Sequence, residues 1–228
     1  MVTGPTAFFT WICLGTTIAA RAALPADYQG KSFADAVHKA GPPNIPGIVQ
    51  CALYDLGGEG VAYHDTDAVN NGSGKLNLEP GHQKSHAGPY LWHFRRDEGE
   101  DISFVKDGAN LSHTNLVSPH INQLYVGWTE DGEWCNYTVR VTRPGTYRIK
   151  CLYAYQPNSV TFDLNGKPAA TCRLPAPTPS YHHWNFADIG TIQFPEAGLQ
   201  LLTFHYGKGN NFAYFEFEPV ELVPPERH

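Results

Sequence analysis

Five carboxylates in the first two-thirds of the chain, Glu59, Asp65, Asp67, Glu130 and Glu133, are the residues whose type could support acid–base chemistry. Cleaving a glycosidic bond needs two carboxyl groups facing each other across a cleft. No motif in this sequence sets any two of the five as such a pair. His182 and His183 are adjacent. On an extended strand neighbouring side chains point to opposite faces, so the two cannot both chelate one ion. The cysteines lack the C-x₂₋₄-C spacing of a zinc site. What remains is a supply of flat rings and amides: 12 Tyr, 12 Phe and 5 Trp make the chain 13% aromatic, with a formal net charge of −6 and no basic run. That charge argues against nucleic acid and leaves a neutral, hydroxyl-rich ligand compatible.

The elements that must position such groups are strands. Cys135, Tyr137, Val139 and Val141 alternate with Asn136, Thr138, Arg140 and Thr142. That period of two predicts one apolar and one wet face. Arg143-Pro144-Gly145 turns the chain, and Tyr147, Ile149, Cys151, Tyr153 and Tyr155 resume the alternation, which reads as an antiparallel hairpin. A hairpin alone is marginal in water, so a second sheet must cover it. Further strands are expected over Ile48 to Asp55, Val61 to Asp65, Tyr90 to Phe94, Asp101 to Phe104, Val160 to Leu164, Trp184 to Phe194, Leu199 to Tyr206 and Phe212 to Leu222. Asn165-Gly166 is a strong two-residue hairpin turn. With 22 Gly and 18 Pro supplying turns, the expectation is all-β: a jelly-roll-type β-sandwich of two antiparallel sheets.

Ala7 to Gly15 is a short apolar run, and Ala20-Arg21-Ala22 fits a small-residue cleavage pattern. Residues 1–22 are therefore expected to be a signal peptide, although no Lys or Arg precedes the run; a short buried helix is the alternative. The run is too short to span a membrane. Residues 23–44 are expected to be a leader, with a helical patch from Lys31 to Ala40 stopped by Gly41-Pro42-Pro43. Residues 45–222 would form the sandwich and residues 223–228 a tail. Beyond Cys13, an exported chain could oxidise Cys51, Cys135, Cys151 and Cys172 in three pairings, or keep Cys135 and Cys151 as core residues. The sequons at Asn71, Asn110 and Asn136 matter only in a glycosylating host.

Several motifs in order resemble the family 6 carbohydrate-binding modules. They are Ile45-Pro46-Gly47; Tyr54-Asp55 followed by Gly57-Gly58-Glu59-Gly60-Val61-Ala62-Tyr63-His64-Asp65; Val126-Gly127-Trp128-Thr129 followed by Gly132-Glu133-Trp134; Pro144-Gly145-Thr146-Tyr147; Trp184; and Asn211-Phe212-Ala213-Tyr214-Phe215-Glu216-Phe217. The likeness runs from about Ile45 to Glu218. It implies a secreted, non-catalytic sandwich that binds polysaccharide in a loop cleft, without nucleic acid or a membrane span, and with a glycan-degrading enzyme as a separate partner. It also implies a carbohydrate site. Asn211 matches the family's hydroxyl-binding asparagine, Tyr181 stands near its first ring, Tyr90 is the candidate second ring, and Glu59 matches a polar cleft residue. Trp128, Trp134 and Trp184 read as core or edge packing. The family's structural calcium is not expected, because Gln50, Ala52 and Ala213 stand where acidic ligands would be, and calcium takes six to eight oxygens. Cys51 could tie that strand down through a disulfide instead.

The physics suits such a ligand. Pyranose rings present C–H faces to aromatic faces and hydroxyls to polar rims. If each ring loses about a third of a ~150 Å² surface, burial contributes roughly 1.3 kcal/mol per ring. Two rings and about three hydrogen bonds give roughly 5–6 kcal/mol, near sub-millimolar affinity. Two other classes stay open: a small glycoside hydrolase or lyase on the same scaffold, and a structural or adhesive surface protein.

Overall fold

The computed structural model describes Met1 and residues 22–39, 41–79 and 88–221. The expected signal peptide, Cys13, Ala40, Leu222 and the tail lie outside the described residues, apart from Met1 and Ala22. Twelve strands are described: β1 (Asn44–Ile45), β2 (Gly47–Gln50), β3 (Tyr63–His64), β4 (Ile102–Phe104), β5 (Leu124–Val126), β6 (Trp134–Val141), β7 (Gly145–Tyr155), β8 (Ser159–Leu164), β9 (Lys167–Arg173), β10 (Trp184–Phe194), β11 (Gly198–His205) and β12 (Asn210–Pro219). They form two six-stranded sheets. One runs β1-β6-β11-β8-β9, with β3 on β6; the other runs β10-β7-β12-β5-β4, with β2 on β12. This is the β-sandwich that the alternation predicts. Among these twelve strands, every pairing is antiparallel except that of β1 with β6.

The central pair corrects one expectation. β6 and β7 alternate as read, but they belong to different sheets, so Arg143-Pro144-Gly145 makes an arch across the sandwich rather than a hairpin. Each strand has an apolar face of its own, and folding the chain over buries both against each other. Gly145 supplies φ +154°, and the Tyr147 hydroxyl donates to the Arg143 carbonyl at 2.6 Å to hold the corner. By contrast, β8 and β9 do form the expected hairpin. Asn165 (φ +51°) and Gly166 (φ +75°) give the two positive φ values that such a turn demands.

The core lies between the sheets. Phe162 of β8 and Phe204 of β11 meet Phe215 of β12 edge-on, with ring centroids 5.1 and 4.5 Å away. Cys51, Cys135, Cys151 and Cys172 are buried, unpaired thiols, so no disulfide ties Cys51 down. Its segment is held instead by the Tyr137 hydroxyl, which donates to the Cys51 carbonyl at 2.9 Å.

The outer face of β6 is drier than alternation implies. Asn136 and Thr138 are buried because Asp55 lies over them: its carboxylate accepts from the Thr138 amide (2.8 Å) and hydroxyl (2.6 Å), and from the Tyr28 hydroxyl (2.7 Å). Burial raises the Asp55 pKa, against the pull of these donors.

The segment before β1 is laid onto this face. Lys31 and Leu56 exchange backbone bonds of 2.8 and 2.7 Å, and Phe33 is buried against Phe94. No helix forms over 31–39, because Asp35 Oδ1 captures the amides of Val37 and His38 and turns the chain. Conversely, the expected strand near Tyr90 is a short helix, Gly88–Trp92. Among the described residues, no helix is long and apolar enough to cross a membrane.

Candidate functional site

Three loop segments meet at one end of the sandwich: 127–131 after β5, 206–209 before β12, and 178–183 before β10. The first two are zipped together. Thr129, buried, donates through its hydroxyl to the Gly207 carbonyl (2.8 Å) and accepts from the Asn210 amide (3.0 Å), while Gly209 N–H donates to the Thr129 carbonyl (2.7 Å). At the rim, the Lys208 amide donates to Asp131 (3.0 Å), and its ammonium pairs with Glu130 at 2.8 Å, which raises the Lys208 pKa.

Between them opens a cavity of about 330 Å³ lined by Tyr125, Trp128, Glu130, Tyr181, His182 and Asn211, among others. Trp128 is 40% exposed and Tyr181 44% exposed. Two aromatic residues here hold backbone conformations that bulky side chains rarely adopt: Trp128 at φ +51° and Tyr155 at φ +104°. Such strain persists only where the surroundings impose it, and it concentrates at binding sites. Here Tyr155 packs under Tyr181, with centroids 4.4 Å apart. It also exchanges bonds with Thr178, from Tyr155 N–H to the Thr178 hydroxyl (3.0 Å) and from Thr178 N–H to the Tyr155 carbonyl (2.8 Å). Tyr125 is buried against Trp184, edge-on at 5.2 Å, and burial pushes its hydroxyl up to about 12.

The structure brings Tyr181 and Asn211 together: the Asn211 amide donates to the Tyr181 carbonyl at 2.6 Å. It puts Tyr90 and Glu59 elsewhere. Tyr90 donates to Asp35 at 2.6 Å and faces a separate hollow with Val37, His38, Leu53 and Ile121. Glu59 pairs with His64 at 2.5 Å in the turn before β3. Trp184 is buried, as packing predicts. Trp128, expected to pack in the core or at an edge, is instead an exposed ring on the cavity. Its signal was the run Gly127-Trp128-Thr129-Glu130-Asp131-Gly132, a tryptophan alone among small and polar residues just past a strand.

The carboxylates divide as well. Of the five with acid–base potential, Glu130 lines the cavity. Asp65 and Glu133 are buried away from it, beside Glu100 and Asp101, with Asp67 close by. Burial first, and then neighbouring carboxylates, raise Asp65 to about 7; Asp101 rises to about 6 and Glu100 well above the carboxylate range. Amides and hydroxyls hold the group together. Asn71 donates twice to Asp101, and Thr66 donates twice to Glu133 (2.8 and 3.2 Å). Among the described residues, no three or more His, Cys, Asp or Glu side chains are placed to hold a metal. The place of the family's structural calcium does not suit that ion. Ala52 and Ala213 are fully buried apolar groups, and the Gln50 side-chain Oε1 accepts from the Gln123 side-chain Nε2 at 2.7 Å.

Residues 109–217, just under half of the chain, match the model of the carbohydrate binding module (family 35). Over that span the chain is similar to a carbohydrate-binding module, and the matched span holds Trp128, Tyr181 and Asn211 but neither Glu59 nor Tyr90. No curated protein matches the chain. Among solved structures, it is similar to CsCBM6-3 from Clostridium stercorarium in complex with cellobiose, at 13% identity and TM-score 0.45, covering 79% of this chain and 99% of that one. It is also similar to the carbohydrate binding module of Cellvibrio mixtus lichenase 5A in complex with cellotriose, at 21% identity and TM-score 0.40, covering 52% and 92%. A third is the C-terminal module of a laminarinase from Zobellia galactanivorans, at 18% identity and TM-score 0.37, covering 42% and 81%.

Proposed function

We propose that this protein is a secreted, non-catalytic carbohydrate-binding protein that grips a neutral polysaccharide in the cleft of Trp128 and Tyr181. The observation that carries the reading is the exposure of two large aromatic rings on the lining of one cavity, both on strained or stapled loops. Each ring offers a sugar face roughly 1.3 kcal/mol of apolar burial. The rim residues Glu130, Lys208 and His182 offer hydrogen-bonding partners to hydroxyls. Binding rather than cleavage is favoured because, among the described residues, the cavity lining includes one carboxylate, Glu130, already paired with Lys208. A hydrolase needs two across the cleft. Weak grip on a repeating polymer becomes effective when the module acts beside a separate glycan-degrading enzyme, which is the partner we propose.

Affinity electrophoresis against xylan, mixed-linkage β-glucan, laminarin and other plant and microbial glycans tests this. The expected result is retardation by at least one polysaccharide with no reducing ends released over time. Release of reducing ends would establish the hydrolase reading, and neither effect would leave a scaffold role.

A further inference from the structure

Asn211 lies on the cavity, yet the residue is only 3% exposed. One amide hydrogen is committed to the Tyr181 carbonyl at 2.6 Å. Its Oδ1 is seated against Gly127, where an added Cβ would come within 2.7 Å of it. We infer that Asn211 is a positioning residue: it holds the Tyr181 backbone to β12 and so sets the ring's pose, rather than offering its amide to the ligand. This rests on the sugar-binding reading of the cleft and assigns the work within it.

The arrangement of the neighbours supports it. The hydrogen bonds of Ser180 stay local: its carbonyl accepts from the Thr178 hydroxyl (3.1 Å) and the His183 amide (3.1 Å), and its hydroxyl meets His183 Nδ1 (2.8 Å) and the His182 amide (3.3 Å). These bonds shape the loop, and Thr178 fixes its first end to Tyr155 of β7, but none of them holds the Tyr181 carbonyl. His182 reaches sideways to Asn110 (3.1 Å), and the Tyr181 ring rests on Tyr155. The Asn211 bond ties the Tyr181 carbonyl itself to β12, where Asn211 is paired with Ala154 of β7 in the middle of a sheet. A carbonyl can be held only by a donor. Asparagine at this point supplies one at the right reach, and Gly127 leaves the room for it.

One variant separates positioning from direct contact. Asn211→Asp keeps the size and the capacity to accept from sugar hydroxyls, but sets a carboxylate against the Tyr181 carbonyl. The test is a double-mutant cycle of Asn211→Ala and Tyr181→Ala, read as retardation by the polysaccharide that binds the parent best. Positioning predicts about a tenfold loss for each single variant, a double variant no weaker than Tyr181→Ala, and Asn211→Asp as weak as Asn211→Ala. A double variant weaker by the product of the two losses, or Asn211→Asp binding like the parent, would overturn the inference. Should the parent bind no polysaccharide, the functional reading fails, and amide hydrogen exchange of the ligand-free protein decides the inference by itself. Asn211→Ala should speed exchange across 178–183 about tenfold while β6 and β11 stay as in the parent. Unchanged exchange there would refute it.

Discussion

Residues 127–133 serve two neighbourhoods. At one end Trp128 and Glu130 line the open cleft; at the other Glu133 is buried with Asp65, Glu100 and Asp101. The link between them is direct, since the Glu130 amide donates to Glu133 Oε2 at 2.7 Å. The cleft presents neutral surfaces to solvent, with its one ion pair at the rim. The neighbouring cluster packs carboxylates out of water and suppresses their charge. On the function proposed above, the difference divides the labour: ring faces would govern ligand retention, while protons on the cluster would govern how firmly the supporting loops are held.

The largest expected effect breaks the cleft alone. Trp128→Ala combined with Tyr181→Ala removes roughly 2.6 kcal/mol of ring burial and should weaken retention on an affinity gel about a hundredfold. Its melting temperature should stay within about 3 °C of the parent, because both rings are half-exposed.

The second effect breaks the cluster alone. Asp65 and Asp101 have folded pKa values of about 7 and about 6, above their unfolded values, so the folded state binds protons more tightly. Their contribution is fully present below about pH 4 and is lost as pH rises through 6 and 7. Glu100, raised further, extends the trend upward. Between pH 5 and pH 8 the melting temperature should fall by about 5–10 °C, followed by circular dichroism, without a matching loss of retention.

A smaller change sharpens the same contrast. Glu100→Gln keeps an acceptor for the Cys135 thiol, which donates to Glu100 at 3.3 Å, but removes an ionisable group. It should flatten the pH–stability curve and raise the melting temperature at pH 8 by about 2–4 °C. The smallest effect is expected at the two residues placed away from the cavity. Tyr90→Phe and Glu59→Gln should leave retention within about twofold of the parent on the same gel.

How much of this was legible in the sequence depends on what each signal encodes. Alternation in β6 and β7 reports which face of a strand meets the core, and the core-facing residues Cys135, Tyr137, Val139, Val141, Tyr147, Ile149, Cys151 and Tyr153 are legible from it. It does not report which strand lies alongside, and Pro144-Gly145 turns a chain equally well within a sheet or between sheets. Asn165-Gly166 was legible in full, because two consecutive positive φ values leave few other turns. The burial of Asn136 and Thr138 was hidden, because Asp55 and Tyr28 arrive from far earlier in the chain.

The candidate site shows the same division. Tyr181 and Asn211 could be named from the spacing of a family motif, and the fold does bring them into contact. Trp128 reads as core or edge packing in the sequence, because tryptophan's large area usually marks a core. Its exposure follows from a backbone conformation that no periodicity reveals. Tyr90 was named on a loose likeness, and the pull of Asp35, 55 residues away in sequence, settles where its hydroxyl goes.

The most direct test is a titration of the ¹⁵N-labelled protein with cello-, xylo- and laminari-oligosaccharides, following the indole N–H resonances. The account predicts that one series shifts the Trp128 indole progressively while that of buried Trp184 holds still. Shifts confined to other tryptophans, with Trp128 unmoved at saturation, would contradict it.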